Sequence, residues 1–431
     1  MGKQGRIHHA WWIVVAGFLL NLAGIGIIMN SMGVFFKPVI ESLGFTRGSF
    51  ALYFTIAALS MMVMAPLMGK ILERYNIRLV MGICTTLMAV SFALFSQCRT
   101  LGQFYALSVF LGIGSAGTHI IPVSMMITNW FEEKRGLAMG IVFSATGIGG
   151  FIFNPFSNWL IENYGWENAY LTLGVIVGLC TIPMALFVVR VRPSDKGLAP
   201  YGTKAVSAAY HETAASGLTA REALRAPAFW LLAGMILFIA IANMGVLHHI
   251  VPYLTDVGIS SSTAAALMSL HMAVLVAGKL VMGDLADRIG LRRSLIACIV
   301  GLVVSIGLLY GAAFFWIAVA FNVLFGFAIS VRTVLPPLMT ASCLGQKHFG
   351  VIYGFLNVFT TLGSAIGVPL SGYIHDWTKS YHIAFALYIA LGVLAAVFGV
   401  LALGRGAVYL QAPATPKITT KGMTCMPIQE E

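Results

Sequence analysis

The sequence predicts an all-α integral membrane protein of twelve transmembrane helices, arranged as two six-helix pseudo-symmetric halves. Three observations carry this: an apolar composition, a series of uncharged runs of span length, and a copy of the first half within the second. The chain is 59% hydrophobic and 10% charged over 431 residues, with mean hydropathy +0.89, outside the range of soluble domains of that size. Runs such as Trp11 to Phe36 and Leu79 to Gln97 contain no Asp, Glu, Lys or Arg. A bilayer core about 30 Å thick needs about 20 such residues per helix. The run from Trp11 is too long for a signal-peptide core and no small-residue cleavage site follows it, so it reads as a retained first helix.

Taken in order, spans are expected at 11–36, 49–69, 79–98, 104–128, 137–161 and 169–190, then at 229–253, 262–283, 294–315, 317–342, 350–373 and 383–404. Residues 1–190 form the N-terminal bundle and 229–404 the C-terminal bundle. The stretch 191–228 between them is polar and holds Pro, Gly and Ser, so it reads as a cytoplasmic linker. Within it, Thr219-Ala-Arg-Glu222 has the capping-box pattern that starts a short surface helix. Residues 405–431 lack periodicity and are expected to be a disordered cytoplasmic tail.

Charge sets the orientation. With a cytoplasmic N-terminus and alternating spans, all of the 26 Lys and Arg residues fall on cytoplasmic segments except Lys37, Arg47, Arg99 and Lys379 outside and Lys279 and Arg332 within spans. This asymmetry is the positive-inside rule. It places both termini in the cytoplasm, implies an inner or plasma membrane, and accounts for the net charge of +11 without nucleic acid. The six cysteines show no CxxC pair or ligand spacing, so no metal, redox chemistry or other cofactor is implied.

A fixed offset of 214 residues aligns the halves. It pairs Pro38 with Pro252, Gly69 with Gly283, Glu73 with Asp287, Arg74 with Arg288 and Arg78 with Arg292. It continues through Gly112 and Gly326, Pro122 and Pro336, Gly136 and Gly350, Gly149 and Gly363, and Pro155 and Pro369. Chance matches do not hold register over so many helices. Parallel repeats of this kind build carriers that bind a substrate near the bilayer midplane, between the halves.

The motifs extend this reading. "GDLADRIGLRR" from Gly283 to Arg293 resembles the G-x-L-x-D-R-x-G-R-R/K signature of the major facilitator superfamily, and "GKILERYNIR" from Gly69 to Arg78 is a weaker copy. Asp287, Arg288, Arg292, Glu73 and Arg74 are therefore candidate latch residues at cytoplasmic helix ends, with headgroup anchoring as the plainer role. "WWIVVAGFLLNLAGIGIIMNSMGVFFK", "WFEEKRGLAMG" and "HHIVPYLTDVGIS" resemble the monocarboxylate transporter family and, more distantly, bacterial oxalate/formate antiporters. The departures are specific. The animal-type family carries a Lys where this chain has Asn30, and an Asp four residues before a helix 8 Arg where this chain has Leu275 and Lys279. The second cation of the oxalate antiporter corresponds to Leu356.

Within the spans stand two strong bases, Lys279 and Arg332, and acids occur only at helix ends. A charge at the bilayer centre costs roughly 2.5 to 3.5 kcal/mol, so each is a functional candidate. Unpaired cations call for an anion, and a carboxylate supplies one. Lys279 competes between such a contact and snorkelling toward Asp287, about 12 Å along the helix. Arg332 lies too deep to snorkel and must meet either the cavity or an internal network. His119, Asn30, Tyr353 and Asn357 are further candidate substrate contacts, with helix-to-helix hydrogen bonding as the alternative. For proton coupling, histidine is the side chain that loads and unloads near neutrality. His249 and His271 are the candidates, with His248 beside the first and His271 expected on the broad face of Lys279. Gly147, Gly149 and Pro155, echoed by Gly363, Gly367 and Pro369, read as packing and bending elements for gating.

These features imply a secondary carrier of small organic anions, foremost monocarboxylates taken up with protons, working by alternating access and without enzymatic activity. A carboxylate/carboxylate antiporter is the alternative, and a transporter-like nutrient sensor is the alternative of another class. A sensor needs a signalling domain, an enzyme needs paired acids or a metal cluster, and cationic-drug efflux needs an intramembrane acid; none is visible in the sequence. The expected partners are a small carboxylate, protons or a counter-transported anion, and lipid, with the carrier monomeric.

Overall fold

The computed structural model describes residues 8–203 and 217–411. Eleven helical paths among them are long and apolar enough to cross a membrane, and one, Arg135–Val188, contains two spans joined at Gly165 (φ 82°, ψ 160°). The spans are α1 (His9–Leu43), α2 (Arg47–Arg74), α3 (Ile77–Gln97), α4 (Leu101–Trp130), α5 and α6 before and after Gly165, α7 (Pro227–Leu247), α8 (Ser261–Ile289), α9 (Leu291–Gly311), α10 (Phe315–Leu344), α11 (Phe349–Thr378) and α12 (His382–Gln411). A short helix, Ile250–Asp256, prolongs α7 after a break at His248 and His249. The predicted twelve-span architecture is the one observed.

Several helix ends differ from expectation: α2, α8 and α11 run on to Arg74, Ile289 and Thr378, α7 breaks after Leu247, and the largest extensions are those of α1 and α12. α1 runs through Pro38 to Leu43 instead of stopping near Phe36, because a proline removes one backbone donor and one carbonyl partner, not the whole helix. Gly44, at φ 69°, supplies the left-handed residue that ends it. α12 continues past Arg405 to Gln411, so about the first two turns of the expected tail are helical; residues 412–431 lie outside the described part, as does 204–216 of the linker.

The linker is attached to both halves at repeat-related points. The Tyr201 N–H donates to the Trp130 carbonyl at 2.8 Å, and the Tyr201 ring packs edge-on to Trp11. The Leu218 N–H donates to the Leu344 carbonyl at 3.0 Å, and Trp130 and Leu344 are 214 residues apart. The capping box forms, with the Thr219 N–H donating to Glu222 Oε2 at 2.8 Å, which holds the Glu222 carboxyl below its ordinary range.

The halves meet on the linker face. Gly69 of α2 lies against the Gly350 backbone of α11, and Gly136 of α5 against that of Gly283 of α8. The offset of 214 converts one pair into the other. A Cβ at Gly69, Gly136 or Gly283 would strike backbone and one at Gly350 would crowd the Gly69 carbonyl, so glycine is the residue that allows the approach. Every described glycine whose Cβ would strike or crowd the opposite half lies between the linker face and mid-span: Gly69, Gly136, Gly140, Gly147, Gly283, Gly350 and Gly354. The molecule is closed on that face.

Candidate functional site

The linker-face closure is fastened by two acids. Asp287, near the end of α8, accepts from the Gly136 and Leu137 N–H groups at 2.8 Å each. Those donors open α5, where backbone N–H groups lack intrahelical partners and the helix dipole favours an anion. Glu73 of α2 does the same at the start of α11, accepting from the Val351 N–H at 3.3 Å, and its other oxygen meets His348 Nδ1 at 2.9 Å. Leu137 and Val351 are again repeat mates. The arginines of the motif do not cross: Arg288 pairs with Asp284 on its own helix at 2.7 Å, and Arg74 lies over the Tyr75 ring. Arg292 borders a surface recess with Arg405.

One helical turn beyond Gly283 sits Lys279. It is about 15 Å along α8 from Ile289 and only 4% exposed. Its ammonium does not snorkel toward Asp287. It crosses to α5, donating to Thr146 Oγ1 at 2.6 Å and to the Phe143 carbonyl at 3.1 Å. Among the described residues it forms no ion pair. Asn30, just after a π-helical segment Leu22–Met29 of α1, donates from Nδ2 to the Thr146 carbonyl at 2.9 Å. Gly150 makes room for that amide, and Gly149 lets α1 approach α5 at Gly26. Asn30, Thr146 and Lys279 thus join α1, α5 and α8 at mid-span. π-helical segments are frequent at functional sites.

Arg332 begins the second part of α10, just after a break at Ile329 and Ser330. It is partly exposed and lies within electrostatic range of Lys279, Tyr353 and His248. Tyr353 is buried on α11, stacked on Phe349 and close to Ser124 of the other half. Asn357 is buried one turn further along α11. His119 sits where α4 breaks, packed on Gly24 of α1, and its Nε2 is buried without a hydrogen-bond partner among the described residues.

The candidate proton carriers lie apart from Lys279. His249 bonds Tyr381 Oη at 3.2 Å and the Val368 carbonyl at 3.1 Å, joining α7, α11 and the turn before α12. His271 does not share the face of Lys279. It stacks on Phe325 of α10, fully buried. Eight residues at 100° each leave the two side chains about 80° apart around α8, enough to send one to α10 and the other to α5.

Reading the sequence missed Thr146, Phe143 and His348. A threonine in an apolar run returns its hydroxyl to a preceding carbonyl, as Thr146 does to Phe143 at 2.9 Å. Nothing local distinguishes it; only its place 133 residues from Lys279, across the crossing, does.

The description Major Facilitator Superfamily matches residues 12–256 and again 235–421. The chain belongs to this superfamily. Among curated proteins it is 26% identical over 399 residues to monocarboxylate transporter 12-B of Danio rerio, covering 87% of this chain and 83% of that one. It is 26% identical to monocarboxylate transporter 12 of Homo sapiens over 87% and 77% of the two chains. An uncharacterised superfamily transporter of Bacillus subtilis, YcxA, is 22% identical over 90% and 93%. Two solved structures share the fold. The E. coli fucose:proton symporter FucP superposes with TM-score 0.68 at 13% identity, over 91% of this chain and 98% of its own. The human organic anion transporter MFSD10 superposes with TM-score 0.66 at 16% identity, over 91% and 99%. The chain is a multi-pass membrane transporter, not an enzyme.

Proposed function

We propose that this superfamily member carries small organic anions, foremost monocarboxylates together with protons, across the inner or plasma membrane, with the linker face and both termini cytoplasmic. The observation that carries the reading is Lys279: a buried ammonium at the crossing of the halves, held by neutral oxygens and by no acid among the described residues. A buried charge without a counter-charge is costly, about several kcal/mol, and an entering carboxylate relieves that cost. The names of the curated relatives and the positive-inside pattern support the substrate class and the orientation.

Lys279 attracts the carboxylate and Arg332 assists from α10, while Asn30, His119, Tyr353 and Asn357 supply polar contacts around them. The substrate itself or a histidine, His249 or His271, brings the proton. Release of Asp287 from α5 and of Glu73 from α11 opens the linker face as the halves rock, with Arg74, Arg288 and Arg292 anchoring the helix ends. Gly147, Gly149, Pro155, Gly363, Gly367 and Pro369 let the flanking helices pack and bend. The protein works as a monomer of two bundles, 1–190 and 229–404, joined by 191–228.

Arg332 favours a second reading, exchange of one carboxylate for another, because two cations near one site suit a dianion or paired anions. Uptake of labelled lactate, pyruvate, formate and oxalate into proteoliposomes tests both. Symport predicts accumulation driven by an inward proton gradient. Antiport predicts uptake only into vesicles preloaded with carboxylate. Uptake of none of the four under either condition overturns the carboxylate reading.

A further inference from the structure

The tie between Lys279 and α5 joins the two halves of the carrier at mid-span. Both oxygens that accept from the ammonium, Thr146 Oγ1 and the Phe143 carbonyl, belong to the N-terminal half. The Thr146 hydroxyl spends its own proton on the Phe143 carbonyl, so its lone pairs are left to face the lysine. Its carbonyl is fixed in turn by Asn30. A hydroxyl and a carbonyl are dipoles, whereas a carboxylate carries a full charge and bonds an ammonium more strongly. The repeat-related crossing of α2 and α11 has no such tie: the mate of Thr146 is Thr360, but the mate of Lys279 is Ala65.

We propose that Thr146 is a positioning residue whose hydroxyl, with the Phe143 carbonyl, holds Lys279 across the interface while the site is empty, and that the substrate carboxylate takes their place. The inference rests on the reading of Lys279 as the anion contact. The tie favours the empty carrier closed on the linker face. Binding of the anion removes it, and by linkage whatever draws Lys279 from α5 also loosens that closure. The empty carrier therefore needs Thr146 to return to the linker-closed state, whereas a carrier that moves loaded in both directions does not.

Thr146→Val removes the acceptor and keeps the shape, Thr146→Ala serves where valine crowds the crossing, and Thr146→Ser restores the hydroxyl. Spin labels at Tyr75→Cys and Arg293→Cys, exposed linker-face positions in opposite halves, report the closure by electron–electron distance in a background otherwise free of reactive cysteine. Without substrate, Thr146→Val shifts the linker-closed to linker-open ratio about tenfold toward the longer distance, and Thr146→Ser keeps the parent distribution. With labelled lactate, pyruvate, formate and oxalate, Thr146→Val lowers net uptake about tenfold and leaves exchange into preloaded vesicles near the parent rate. An unchanged distance distribution, or equal loss of net uptake and exchange, overturns the proposal. Normal transport by Lys279→Gln beside the expected distance shift in Thr146→Val overturns the anion-contact reading alone and leaves the tie standing.

Discussion

The crossing of α5 with α8 and the crossing of α2 with α11 are built from one repeat and do different things. Each has a paired-glycine approach, Gly136 with Gly283 and Gly69 with Gly350, and each has an acid on the helix start opposite. Beyond the glycines they diverge. One crossing continues into Lys279, Thr146 and Phe143; the other, at the matching positions, holds Ala65, Thr360 and Asn357. The outer regions diverge likewise. His249 is hydrogen-bonded to Tyr381, while its mate Phe35 stacks on Tyr170 with ring centroids 3.8 Å apart. Closure needs symmetry, because both sides of the interface have to open together. On the proposed function, recognition of one substrate needs asymmetry, and both intramembrane cations stand in a single half: Arg332 too has an uncharged mate, Thr118.

The comparison breaks most directly at Lys279. Lys279→Gln makes the two crossings alike in charge, and anion uptake in proteoliposomes is expected to fall to the level of empty vesicles; Lys279→Arg should retain part of it, as a cation that still reaches α5. Retained uptake in the glutamine variant would return the lysine to a structural role. Next in size is His249→Phe, which gives the C-terminal half the residue of its mate and removes both hydrogen bonds of the imidazole. If His249 is the proton carrier, the variant loses stimulation by an inward proton gradient while carboxylate exchange persists; gradient-driven uptake at the parent rate assigns the proton elsewhere.

The latches sharpen the symmetric side. Asp287→Asn weakens two charge-assisted bonds at 2.8 Å, Glu73→Gln one at 3.3 Å plus the His348 contact. The linker-open population, read from spin-label distances, is expected to rise about tenfold for Asp287→Asn and by a smaller factor for Glu73→Gln. Equal effects would mean that the two latches share load evenly. His348→Ala is the smallest change. Exposed ion pairs contribute about 0 to 1 kcal/mol, so at most a fewfold change in that population is expected.

Much of the scaffold is legible in the chain as written. Uncharged runs locate the spans because a bilayer offers no partner for backbone groups except a helix. The offset of 214 reveals the repeat because both copies must supply glycine where helices touch, and acids where helices start. Gly69, Gly136, Gly283 and Gly350 stand in the sequence as repeat-matched residues before they stand as contacts. Lys279 and Arg332 are visible for the same reason: a charge among apolar neighbours is a local anomaly.

The sequence by itself therefore determined the architecture, the repeat and the presence of two intramembrane cations, all of which are local properties or comparisons along the chain. Only the tertiary structure decided where those cations point. Lys279 turns to α5 and not toward Asp287 at the helix end, His271 turns to α10 and not to Lys279, and Thr146 becomes the partner of the lysine. Each outcome depends on which helix crosses which, and at what angle around its axis. Residues 133 positions apart become partners through that crossing alone, and no local pattern encodes it.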